Sequence, residues 1–404
     1  MKGLPRTGAT GYEFDDGNWR KVAMDFYFDQ DLKEFRGHIA RWVDERLVPQ
    51  SDALDRSGEF PRELFKELGG LGYFGVMYPE QYGGSGLERP YLHYTVLCEE
   101  LARGSMGFAA IVGMHASAAT HTIYAWGSES LRQRYLVPAI RGDMVGAFAI
   151  TEANAGSDAA SIRTRAVRER DGWRLNGAKI FTSNGTIADF ITVAATTDPA
   201  KKVRGIGLFL VDTTTAGFRV GRKMEKFTTH CSDTAELVLD NVFVPDECRL
   251  GAEEGGFLNA YKALTIDRIF TAALAIGTGR AAYDAALKYA KEREQFGQPI
   301  GKFQAVQFKL VDMLATLEQA RLYTYYAAAL ADRDQPITIE AALSKIIAAH
   351  GCNEVCQKAL NIFGGYGLMS EFPVQRYLRD SYFPMIGGGT SDIMRMIVAR
   401  QLGL

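Results

Sequence analysis

The sequence predicts an α+β protein built as three consecutive blocks: helical, then β, then helical again. Three observations carry this. Residues from about 30 to 140, and from about 256 to the end, hold apolar positions at helical spacing. Residues from about 144 to 245 instead hold short β-branched and aromatic runs punctuated by Gly, Asp and Asn. Strands and helices do not alternate, which excludes a doubly wound nucleotide fold.

The elements follow in order. Residues 31–49 carry Leu32, Phe35, Ile39, Trp42 and Val43 at helical spacing, and Pro61 opens a second helix with proline in its first turn. Residues 91–101 and 109–126 read as more fully buried helix. The β block contains the runs 172–175, 190–194, 206–211 and 236–239, the texture of a small barrel or sandwich. Long helices are expected over 256–292, 303–331 and 337–362. Domain boundaries are placed at 1–146, 147–252 and 253–404.

With 404 residues the chain can bury substantial cores. A net charge of -2 gives no electrostatic basis for nucleic-acid binding. No run of about 18 apolar residues occurs, so no membrane span is expected. The N-terminus lacks an apolar signal core, and Glu13, Asp15 and Asp16 disfavour a transit peptide. The five scattered cysteines suggest a reducing compartment, cytoplasmic or, in a eukaryote, the mitochondrial matrix. Cys352 and Cys356 lie one helical turn apart near His350, too few ligands for a metal site; buried structural thiols and no metal are expected.

Near the C-terminus Gly387-Gly388-Gly389 leads into Thr390-Ser391-Asp392-Ile393-Met394, with Thr390 as a plausible N-cap. A glycine run before a helix N-terminus lets a ligand approach backbone N–H groups, and a plain loop would read the same way. Two further stretches stand about thirty residues apart in the β block: 149–158 (AITEANAGSD) and 179–185 (KIFTSNG). Either alone reads as a polar turn between strands. Together, and followed by 292–300 (EREQFGQPI) and 363–367 (FGGYG), they resemble the signatures of the acyl-CoA dehydrogenase family, over residues 30 to 404.

That resemblance implies an N-terminal helical domain, a central β-barrel and a C-terminal four-helix bundle. It implies FAD as cofactor, acyl-CoA as substrate, electron-transfer flavoprotein as electron acceptor, and a homotetramer built as a dimer of dimers. A flavin accepting hydride at N5 and charge at N1/C2=O needs hydroxyl or backbone donors along its edge. The resemblance puts Thr151 and Ser183 there, with Phe181 packed on the ring and Phe148, Ile150 and Gly156 in the same cofactor region. Ser157 matches a position touching the CoA side as well. Arg293, Gln295 and Phe296 match positions binding pyrophosphate and adenosine across a subunit interface. Gln304, Asn361, Gly364, Gly365, Thr390 and Asp392 complete the cofactor set. On its own, without the resemblance, Arg293 reads as a solvated helix-end charge.

Many members of the family place a catalytic glutamate where Gly388 stands here. The helix over 256–292 carries Ala260, Leu264, Asp267, Thr271 and Leu274 on one face, with Asp267 its one charge. Such an acid is either structural, paired with an arginine, or functional, with a pKa raised by desolvation. The resemblance favours the second: in the isovaleryl-CoA and long-chain branches the glutamate lies on this helix just before an arginine, as Asp267-Arg268 does, and glycine occupies the Gly388 position. The resemblance therefore implies Asp267 as base, Arg268 as a CoA contact and Gly388 N–H as a donor to the thioester oxygen. Asp is one methylene shorter than Glu, about 1.5 Å of lost reach, which a branched or alicyclic acyl group could accommodate. His230, in a segment that also departs from the family at Thr228, reads as structural or as a contact to CoA phosphate. Other readings of the same fold are desulfination or acyl-CoA reduction, a flavin oxidase or monooxygenase, or a base-poor subunit of a heteromer.

Overall fold

Among the described residues, eight α-helices precede the sheet. A computed structural model describes residues 28–251 and 256–404. The reading of the N-terminus as leaderless, the boundary at 252/253 and the side chain of Ala260 lie outside the described residues. The helices are α1 (Gln30–Trp42), α2 (Ser51–Ser57), α3 (Arg62–Gly70), α4 (Pro90–Gly104), α5 (Met106–Gly113), α6 (Thr120–Trp126), α7 (Glu129–Leu131) and α8 (Val137–Ile140). Pro61 stands one residue ahead of α3 and its carbonyl accepts from Phe65 N–H, so the proline precedes the first turn that was expected to contain it. Between α5 and α6 the backbone widens into a π segment, Met114–Ala119. Such segments re-aim side chains inside a helix, and this one carries Ser117.

The β block is one sheet. Its strands are β1 (Gly146–Ala149), β2 (Arg165–Glu169), β3 (Gly172–Ser183), β4 (Phe190–Thr196), β5 (Ile206–Asp212), β6 (Phe218–Lys223), β7 (Thr234–Pro245) and β8 (Arg249–Leu250). The order is β6-β7-β3-β2-β4-β5-β8, with β1 parallel to β4. β2 and β4 are joined through the pair Arg165↔Thr196. Strands β4 and β5 are buried along nearly their whole length, as their unbroken apolar runs require. His115 ties this sheet to the helices: its Nε2 donates to Ala139 O at 3.0 Å and its Nδ1 accepts Gly146 N–H at 3.0 Å. Burial holds its pKa at about 4, so it stays neutral.

The C-terminal block opens with α9 (Gly256–Glu292). A short hairpin of β9 (Glu294–Gln295) and β10 (Gln298–Pro299) follows, then α10 (Gln304–Ala331), α11 (Thr338–Phe363), α12 (Val374–Asp380), α13 (Phe383–Ile386) and α14 (Ser391–Gln401). Helices α9, α10, α11 and α14 form the bundle, and α9 also packs along α4. That crossing is backbone to backbone: a Cβ on Gly277 would stand 2.1 Å from Glu99 O, so no larger residue fits. The close approach sets Arg280 of α9 against Glu99 and Glu100 of α4, with Nη1 2.9 Å from Glu100 Oε1. Arg36 and Arg103 also pair with Glu100, and Tyr325 of α10 donates to Glu99 at 2.6 Å. Two buried carboxylates thus stay ionised among arginines, and α1, α4, α9 and α10 are locked in register.

Candidate active site

Asp267 lies on the face of α9 that looks toward the glycine loop. Its Oδ1 accepts a hydrogen bond from Ser117 Oγ at 2.8 Å. Among the described residues no arginine forms an ion pair with it, which removes the reading of a structural Asp–Arg pair. Burial pushes its carboxyl above the ordinary value; Ser117, Lys345 and Arg268 pull it back in part. Tyr94 and Cys98 of α4 stand close enough to couple to it, and burial keeps both protonated.

Gly388 faces this carboxylate. It adopts φ +66, and a Cβ there would stand 3.5 Å from Asp267 Oδ2, 3.5 Å from Thr271 Oγ1 and 3.8 Å from Lys345 Nζ. The loop continues into α14, where Thr390 Oγ1 caps the helix by accepting Ile393 N–H at 3.3 Å. Asp392 sits in the first turn, exposed, and accepts from Arg395 at 2.8 Å.

Arg268 is buried, donates to Thr265 Oγ1 at 3.3 Å and lies over the Tyr261 ring at 4.8 Å. Its Nε is buried without a hydrogen-bond partner among the described residues. His230 Nδ1 lies 3.2 Å from Asp55 Oδ1 and its Nε2 3.3 Å from Arg379, which favours its structural reading.

The expected flavin-edge residues gather on the β block. β3 bulges against β7 between Lys179 and Thr182, and Phe181 takes φ +54 there. A bulge re-aims a side chain, and this one leaves Phe181 60% exposed. Ile180 N–H donates to Thr151 O at 2.9 Å, binding segment 150–152 to β3. Buried Lys179 reinforces the link, donating to Ile150 O at 2.9 Å and Glu152 Oε1 at 2.7 Å. Thr151 and Ser183 are half-buried, Gly156 and Ser157 exposed, and Phe148 and Ile150 pack on the sheet core.

A second group gathers on the bundle. Tyr289, Arg293, Gln295, Phe363, Gly365 and Tyr366 line a cavity of about 500 Å³. Tyr289 stacks on Phe363, and Arg293 lies over Tyr366. Gly364, at φ +60, and Gly365 both face open space where a Cβ would stand. Asn361 accepts the capping N–H of Gly364, and Gln304 begins α10. Phe296 is 93% exposed at φ +52. No residue of the β-block group lines this cavity.

Two site residues escaped the sequence reading. Ser117 is a hydroxyl inside an apolar helical run, and Lys345 is a lysine on an otherwise small and apolar face of α11. A polar residue on a buried stripe was the available signal for both.

Fold and site together define an oxidoreductase of the helical–β–helical flavoprotein class. The chain matches the acyl-CoA dehydrogenase N-terminal domain over residues 29–143, the middle domain over 147–242 and the C-terminal domain over 254–403. It is 42% identical to benzylmalonyl-CoA dehydrogenase of Aromatoleum aromaticum, covering 94% of this chain and 100% of that one. The butyryl-CoA dehydrogenase structure from Megasphaera elsdenii superimposes with a TM-score of 0.92 at 38% identity, covering 94% of this chain and 100% of that one. A chain in the structure of the electron transferring flavoprotein of Acidaminococcus fermentans gives 0.91 at 39% identity, covering 94% and 99%. The chain belongs to the acyl-CoA dehydrogenase family.

Proposed function

We propose that the protein dehydrogenates an acyl-CoA thioester between its α and β carbons, with Asp267 as base. The carrying observation is the pairing of a half-buried carboxylate, without an ion-pair partner among the described residues, with the glycine loop at Gly388. Asp267 takes the α-proton. The backbone N–H of Gly388 donates to the thioester oxygen, where charge accumulates as that proton leaves. Desolvation raises the basicity of Asp267, and the Ser117 hydrogen bond partly offsets that rise. Arg268, whose Nε has no partner among the described residues, and Ser157 serve the CoA portion.

The residues present fit FAD: an exposed Phe181, hydroxyls at Thr151 and Ser183, the open space at Gly364 and Gly365, and the arginine-lined cavity at Arg293. FAD, when bound, supplies hydride acceptance at N5, and the bond left between the two carbons becomes double. Exposed Phe296, Phe308, Val311 and Leu368 support a homotetramer that covers them. Likeness to a chain in an electron transferring flavoprotein structure supports that protein as electron acceptor. We assign a branched or ring-bearing acyl group on two supports: the short Asp267 side chain draws the α-carbon toward α9, and a relative is a benzylmalonyl-CoA dehydrogenase.

The test is D267N, loaded with FAD and mixed anaerobically with a panel of straight, branched and cyclic acyl-CoAs. Flavin bleaching is expected to slow by about 10²–10⁴ against the best wild-type substrate. Bleaching at the wild-type rate rules out Asp267 as base.

A further inference from the structure

We propose that Lys345 is a positioning residue that aims and polarises the Gly388 N–H and steadies the charge on Asp267. This rests on the dehydrogenase reading above. Lys345 sits on the buried face of α11 among Ala341, Ala342 and Ala348 and is fully inaccessible to solvent. A buried ammonium without partners is strongly unfavourable. Here its Nζ donates to Gly387 O at 2.5 Å and also to Gly389 O. Both acceptors flank Gly388, so one cation clasps the two sides of the residue that faces the base.

Peptide geometry gives the clasp a direction. All described peptides are trans, and in a trans peptide the C=O and the following N–H point opposite ways. Gly387 C=O and Gly388 N–H belong to one peptide. Holding that carbonyl on Lys345 turns the Gly388 N–H away from α11. Among the described residues, that N–H has no hydrogen-bond acceptor. A charge-assisted bond to the carbonyl also polarises the peptide, making the opposite N–H a stronger donor. The positive φ of Gly388 is thereby held by a contact, not left to the freedom of glycine.

The same ammonium couples electrostatically to the base across the space at Gly388. Lys345 Nζ and Asp267 Oδ2 lie 3.8 Å and 3.5 Å from one point, the missing Cβ of Gly388. Burial lowers the lysine to about 7 while the Asp267 charge acts to raise it, and the lysine in turn favours ionised Asp267. A purely structural clasp would hold the loop and leave no mark on how the site treats a thioester carbonyl.

That difference is measurable by binding alone. The probes are butyryl-CoA and S-butyl-CoA, the thioether without the carbonyl, titrated by calorimetry into FAD-loaded enzyme whose flavin has been reduced beforehand so that no turnover occurs. Wild type is expected to prefer the thioester. K345Q keeps a neutral donor for the carbonyls and K345M keeps the volume; both are expected to lose about tenfold of that preference, with S-butyl-CoA affinity unchanged. K345R, which keeps the cation, is expected to retain most of it. Unchanged preference in a folded neutral variant overturns the proposal. So does a K345R that behaves as K345Q, or failure of both neutral variants to fold, which would make the lysine structural. D267N separates the two readings: it tests the reaction through flavin bleaching, and its failure there leaves the thioester–thioether comparison independent.

Discussion

Asp267 Oδ2 lies 3.5 Å from the point where a Cβ would stand on Gly388. The two positions from which a base can enter this site, helix α9 and the loop before α14, therefore open on the same volume. On the proposed mechanism, a carboxylate carried by either element would serve one reaction. That makes the exchange testable. D267A is expected to lose about 10²–10⁴ of the flavin-reduction rate, and D267A/G388E to recover at least about tenfold of that loss. Recovery is capped because Glu at φ +66 carries about 1 kcal/mol of backbone strain. A folded, FAD-loaded double variant no faster than D267A would show that the loop does not reach the reacting carbon.

With Asp267 as the proposed base, its hydrogen bond from Ser117 tunes the pH at which it would work. Burial raises the Asp267 carboxyl, and the Ser117 hydrogen bond lowers it toward the ordinary range. A carboxylate base acts when ionised, so on the proposed mechanism activity is expected to rise with pH through the folded value. S117A removes a donor to the charged form and raises that value further. The acid limb of the rate profile is expected to move to higher pH. Rates on the limb should fall about tenfold, while the alkaline plateau changes little. An unmoved limb would mean that the limiting group is not Asp267.

Much of the fold was legible because period and punctuation are local properties. The α–β–α order, the helices at α9, α10 and α11 and the Thr390 cap all follow from residues near one another in sequence. Asp267 was legible for the same reason: it is one charge on an apolar face. Its surroundings were not. Ser117 reaches it across 150 residues, from a π segment whose altered turn no periodicity reports. Lys345 contacts a loop 42 residues away and reads in sequence as an isolated cation on a helix. Phe181 is turned out by a bulge that depends on register with β7, a partner strand more than fifty residues on.

The Lys179–Glu152 pair holds the segment expected at the flavin edge. Glu152 takes donors from Lys179 at 2.7 Å, Arg163 N–H at 2.6 Å and Thr164 N–H at 3.0 Å, and both side chains are buried. K179M leaves the carboxylate buried with one donor fewer and frees Ile150 O. The expected cost is about 3 kcal/mol of stability, read as a lower urea midpoint. Faster FAD release should accompany it, read by flavin fluorescence. Loss of stability with unchanged FAD release would separate this clamp from the cofactor.

Phe296 should report on assembly. It is 93% exposed, holds φ +52 and follows Arg293 and Gln295, which help to line the bundle cavity. A bulky side chain with positive φ is uncommon, and the hairpin presents this one to solvent beside a cofactor-sized space. A neighbouring subunit that covers the ring would bury a whole phenylalanine, about 1.5–3 kcal/mol. F296A is then expected to raise the subunit dissociation constant about tenfold or more for each such contact. Light scattering across a dilution series would show it, with FAD content falling in parallel because Arg293 shares the hairpin. Should F296A keep both its mass on dilution and its FAD, the ring belongs neither to a subunit interface nor to the cofactor site.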